Sequence, residues 1–114
     1  MDIQRFDGNG RMSQGVLYNN VLYLSGQTGD PDKDIAGQTA EILAKIDLLL
    51  KKYGSGKSKL LTATIYLRDW TYFDSFNAVW DAWVEKGSEP ARACIEAKAC
   101  RAGKLVEVVV TAAV

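Results

Sequence analysis

Residues 15–27, GVLYNNVLYLSGQ, gather their apolar positions into runs of strand length. Two apolar runs there flank Asn19-Asn20, residue types that tolerate the positive φ of a tight turn, so a β-hairpin is expected. TGDPDKD then breaks the pattern, and Asp34 stands where a helix N-cap belongs. From Ile35 the period changes. Ile42, Leu43, Ile46, Leu49, Leu50 and Tyr53 recur at three- and four-residue spacing with Glu41, Lys45, Asp47 and Lys51 between them, which predicts one buried helical stripe. Lys51 and Lys52 suit the negative end of the helix dipole, and Gly54 suits a left-handed C-cap.

LLTATIYLR (60–68) is β-branched and aromatic without helical gaps, which predicts a strand buried on much of both faces. A second helix is expected after Asp69, with Thr71 and Asp74 at capping-box spacing. Its stripe is Phe73, Phe76, Trp80, Trp83 and Val84, and Gly87 is its expected end. Beyond Ser88-Glu89-Pro90, two further strands are expected, Ala91 to Lys98 and Leu105 to Val114, joined through Ala99, Cys100 and Gly103. The order β-β-α-β-α-β-β predicts an α+β two-layer sandwich, a mixed β-sheet with two helices on one face. At 114 residues the chain has the length of a single domain, 1–114.

Alternation along the last two strands raises the first chemical question. Arg92, Cys94 and Glu96 fall on one face and Ala93, Ile95 and Ala97 on the other. The small apolar face suits packing under the helices, which turns Arg92 and Cys94 away from them, toward solvent or another subunit. Glu107, Val109 and Thr111 share a face opposite Val106, Val108 and Val110. A face carrying Glu107 beside Val109 is too apolar for water, so a homo-oligomer is expected. A guanidinium, a thiol and a carboxylate so close in sequence can converge on a pocket for a carboxylate-bearing molecule. The same residues can equally form a structural ion pair, Arg92 to Glu107, beside a small apolar Cys94.

Composition narrows the chemistry. The chain has no histidine, which removes Ser-His-Asp and Cys-His nucleophile activation and the HExxH zinc site. Cys94 and Cys100 are the only cysteines and form no CxxC, so two reduced thiols and no metal site are expected. Lys+Arg 14 balances Asp+Glu 14, so no net field draws the chain to nucleic acid or to an anionic membrane. The amino-terminal MDIQRFDGNGR has no apolar signal-like run and no stretch approaches membrane-spanning length, which predicts a cytoplasmic protein.

SGQ at 25–27, FDSFNAVWDAW at 73–83, PARACIEA at 90–97 and LVEVVVTAAV at 105–114 together resemble the RidA family, also called YjgF, in the family's order and over nearly the whole chain. The resemblance implies a chorismate-mutase-like fold, a homotrimer with its sheets inward, and intersubunit clefts. It also implies hydrolytic deamination of imines or enamines such as 2-aminoacrylate to 2-keto acids and ammonia, with neither cofactor nor metal. Carried over by position, Arg92 clamps the substrate carboxylate, the main chain at Cys94 meets the nitrogen-bearing centre or the attacking water, and Glu107 orients that water and exchanges protons. Ser25 and Gly26 match cleft-lining positions, and Asn77 matches a helix-two asparagine near the cleft. At one position the chain departs from the family: the tyrosine that covers the substrate falls on Met12, which has no hydroxyl to donate.

Overall fold

The computed structural model describes residues 2–98 and 101–114. Cys100, expected as a free thiol, and the Ala99-Cys100 link lie outside the described residues. Strands β1 (Gln4–Phe6), β2 (Gly15–Tyr18), β3 (Val21–Leu24), β4 (Leu60–Leu67), β5 (Ala91–Glu96) and β6 (Val106–Ala113) form one mixed sheet in the order β1-β2-β3-β6-β4-β5. Only β4 and β5 run parallel; the other neighbours are antiparallel. Helices α1 (Ile35–Lys52) and α2 (Phe73–Trp83) cover one face, as the pattern predicts.

Local chemistry sets most boundaries. Asn19 and Asn20 take φ of 53° and 61° and turn β2 into β3, the conformation for which such residues are suited. Asp34 Oδ1 accepts from the Gly37 N–H at 2.8 Å and starts α1, while Gly54 leaves it with φ +87°. Ile42, Ile46 and Leu50 of α1 and Phe76 of α2 pack without solvent exposure on Leu22, Ile65, Leu67, Val106 and Val108. Every second residue of the last strand is thus a core residue, and Glu107, Val109 and Thr111 point to the open face.

Several expectations change. β4 is not buried on both faces: Ala63, Ile65 and Leu67 are, whereas Thr62 is exposed and Thr64 and Tyr66 are half-buried, because no layer of the chain covers the open face. The capping box at Thr71 and Asp74 does not form. Asp69 instead accepts from the Thr71 N–H at 2.9 Å and caps a single 3-10 turn, Trp70–Tyr72, which runs into α2 without a side-chain cap. That helix ends at Trp83, ahead of Gly87, because Val84 turns extended (ψ 140°) to enter the core. Strand β1 is an addition. Its three residues carry too short a pattern to read. A remote contact fixes them: Phe6 stacks on Tyr53 with centroids 4.6 Å apart, and Asp7 takes the Tyr53 hydroxyl and pairs with Lys52 Nζ at 2.9 Å.

Candidate functional site

The segment after β3 runs beside β6 because Gln27 and Val108 exchange backbone hydrogen bonds of 2.9 and 3.1 Å. That pairing lays Gly26 against the side chain of Glu107. A Cβ at position 26 would stand 2.1 Å from Glu107 Oε2, so only glycine lets the carboxylate rest there undisturbed. Ser25 is tied down next to it: its Oγ donates to Gln14 Oε1 at 2.9 Å, and Gln27 Nε2 donates to the same oxygen at 3.2 Å and to the Ser25 carbonyl at 3.1 Å. The loop before β2 brings in Met12, held where Asn9 Oδ1 accepts from the Arg11 and Met12 N–H groups, each at 2.9 Å.

These elements enclose a cleft of about 410 Å³ lined by Met12, Ser25, Gly26, Thr28, Arg101, Lys104 and Glu107. Its cationic wall comes from the loop before β6. Gln38 of α1, fully buried, donates to the Gly103 carbonyl at 2.8 Å and accepts from the Leu105 N–H at 2.9 Å, fastening that loop to the helix. Lys104 Nζ donates to the Gly29 carbonyl. Sequence reasoning missed Thr28, Arg101 and Lys104. The available signal was two cations three residues apart in the turn leading to Glu107.

Of the expected site residues, the fold brings together Met12, Ser25, Gly26 and Glu107 and separates the others. Parallel pairing sets Arg92 beside Ala63, Cys94 beside Ile65 and Glu96 beside Leu67, all three partners buried under the helices. The face of β5 bearing Arg92 and Cys94 therefore turns toward the helix layer, the reverse of the expectation, and Ile95, 46% exposed, looks out on the open face. Edge position explains the reversal. At the margin of the helix layer Arg92 can lay its guanidinium over Trp80, 5.5 Å from the ring centroid, and over Phe76, at 5.9 Å, while staying exposed. Arg92 and Glu107 thus occupy opposite faces of the sheet and do not meet within one chain.

Cys94 packs half-buried against the core, and burial pushes its thiol up from the ordinary range, only partly opposed by the nearby Arg92 charge and the Ile95 N–H. A thiolate nucleophile is disfavoured there. Asn77 lies on α2 next to Phe76, outside the cleft, and its buried Oδ1 has no hydrogen-bond partner among the described residues. An orphaned acceptor of this kind invites water, a ligand or another chain. Among the described residues no group of three or more His, Cys, Asp or Glu is placed to hold a metal ion, and no helix is long and apolar enough to cross a membrane.

The endoribonuclease L-PSP family pattern matches residues 2–114. The chain is 43% identical over 114 residues to the RutC family protein YoaB of Escherichia coli, covering 100% of both. A crystal structure of a YjgF-family member from Neisseria meningitidis superposes with a TM-score of 0.96 at 44% identity, covering 99% of this chain and 95% of that one. A member of the Rid protein family from Yersinia pestis superposes with a TM-score of 0.90 at 29% identity, covering 99% and 100%. The mixed sheet with its two helices is the chorismate-mutase-like fold of these proteins. The chain belongs to the endoribonuclease L-PSP family, which is the YjgF/RidA family.

Proposed function

We propose that this protein hydrolyses enamines and imines of small carboxylic acids, of the 2-aminoacrylate type, to 2-keto acids and ammonia. The observation that supports this reading best is the cleft itself, which sets the Glu107 carboxylate against Gly26 beside cationic side chains and a half-buried Ser25. 2-Aminoacrylate takes a proton at its methylene carbon to become an iminium. Water then adds to the C=N carbon, the nitrogen is protonated, and the C–N bond breaks to leave the keto group and ammonia. Glu107 supplies the group that takes the proton from water and returns one to nitrogen. The main chain at Cys94 meets the nitrogen-bearing centre, and Arg92 holds the carboxylate through a bidentate fork.

Because Arg92 and Glu107 sit on opposite faces, such a site needs two chains. The edge strand of one copy, bearing Arg92, lies against the open face of the next. That face exposes Tyr18, Tyr23 (47%) and Ile95, more apolar surface than water favours. We assign the assembly to a homotrimer, which closes such contacts around an axis, and light scattering in dilute buffer tests it. A stable monomer would dismantle the shared site.

Met12 favours a second reading, a non-catalytic trimer that binds small carboxylates or regulates a partner, since a thioether cannot donate a proton or hydrogen bond. A ribonuclease, which the family's name invites, would have to activate a ribose hydroxyl without an imidazole anywhere in the chain. Ammonia release from 2-aminoacrylate generated in situ separates the first two readings. The enzyme reading expects acceleration that Glu107→Gln lowers by about 100-fold with little change in the affinity for pyruvate. Pyruvate binding with no acceleration would favour the binding protein.

A further inference from the structure

We propose, resting on the imine-hydrolysis reading, that the preferred substrates carry a second carboxylate and that Arg101 and Lys104 hold it. The cleft contains two cationic side chains and one carboxylate, Glu107. The ion pairs among the described residues are Lys33 and Lys45 with Glu41, and Lys52 with Asp7, so no described carboxylate neutralises Arg101 or Lys104. A cleft with surplus positive charge beside low-dielectric walls concentrates anions. The reaction's own α-carboxylate is assigned to Arg92, across the subunit boundary. The two cations on the Glu107 side are left for an anion at the other end of the molecule.

Their placement is built into the fold. Lys104 gives one ammonium proton to the Gly29 carbonyl and keeps two for a ligand. Gly103, at φ +83° with room for no Cβ because Pro31 Cβ would lie 2.8 Å away, sets the bend between Arg101 and Lys104. Buried Gln38 holds the peptide groups on either side of Lys104. Met12 contributes a thioether at the same cleft, which suits the methylene carbons between two carboxylates better than a hydroxyl does.

The test compares 2-oxoglutarate with 2-oxopentanoate, product-like acids of equal chain length that differ in the distal carboxylate. Binding is measured by calorimetry at low salt, alongside hydrolysis of the two corresponding imines generated by an amino-acid oxidase. Wild type is expected to bind 2-oxoglutarate about tenfold or more tightly than 2-oxopentanoate. Arg101→Gln at the exposed end of the loop, and Arg101→Gln with Lys104→Gln, should bring that ratio progressively toward one. Equal wild-type affinities, or a ratio that survives both substitutions in folded protein, would overturn the assignment. Discrimination in binding with neither imine hydrolysed would keep the dicarboxylate site and sink the deaminase. Hydrolysis of both imines without preference would do the opposite.

Discussion

Gly26→Ala tests whether the cleft works through the position of one carboxylate. The three nearest atoms to a Cβ at position 26 all belong to Glu107: Oε2 at 2.1 Å, Cδ at 2.8 Å and Cγ at 3.1 Å. Gly26 is not among the positive-φ residues, so alanine meets no backbone strain and the conflict is with that side chain alone. A relaxed carbon–oxygen contact needs about 3.3 Å, so the carboxylate must withdraw by roughly 1.2 Å. Glu107 is half-buried, and its far end can swing at an off-rotamer cost of about 0.5–1.5 kcal/mol. That is a fall in Tm of roughly 2–8 °C. If Glu107 transfers protons as proposed, a shift of this size costs about 100-fold in turnover. The assay is ammonia release from 2-aminoacrylate beside a thermal melt, repeated in Glu107→Gln and in the double variant. If Gly26 acts through Glu107, the double variant is no slower than Glu107→Gln, a strong departure from additivity. Turnover of Gly26→Ala within about threefold of wild type, or losses that multiply in the double variant, would refute the reasoning.

Arg92→Ala should weaken pyruvate binding by at least about tenfold and lower stability by only about 0.5–1 kcal/mol, the worth of its exposed stacking on Trp80, with Arg92→Lys restoring binding in part; titration calorimetry and urea unfolding check both. Met12→Tyr should raise 2-aminoacrylate deamination, since a phenol can orient the leaving nitrogen, whereas a fall from a high wild-type rate would mean that the thioether is fitted to more apolar or longer imines. Cys94→Ala should keep most activity, because the proposed reaction uses the main chain at this position rather than a thiol held up by burial; complete loss with alkylation at the rate of inactivation would point to covalent catalysis. Glu41 is held down at about 2 from 4.5 by Lys33, the Asp30 N–H and Lys45. Its folded value is depressed, so its contribution is present above 4.5 and fades as pH falls toward 2. Urea unfolding of wild type and Glu41→Gln should therefore differ most at pH 6, differ less at pH 3 and converge as pH falls to about 2, and a constant difference across that range would remove the assignment.

The hairpin, both helices, three later strands and the two-layer arrangement were legible because each is a local matter of periodicity and turn chemistry, as at Asn19-Asn20, Asp34 and Gly54. The pairing of Glu107 with Val109 and Thr111 on one face was legible for the same reason. Which way a face looks is another matter. Period-two alternation separates Arg92 and Cys94 from Ala93 and Ile95 but carries no sign. The sign comes from β5 pairing parallel to β4 at the sheet edge, where Ala63, Ile65 and Leu67 already lie under the helices. The cleft is likewise a tertiary product. Met12, Gly26, Lys104 and Glu107 meet because the Gln27–Val108 bridge and buried Gln38 draw distant segments together. Alternation and caps depend on neighbours a few residues away, whereas the meeting of a glycine with a carboxylate far along the chain depends on the register of strands that no local pattern encodes.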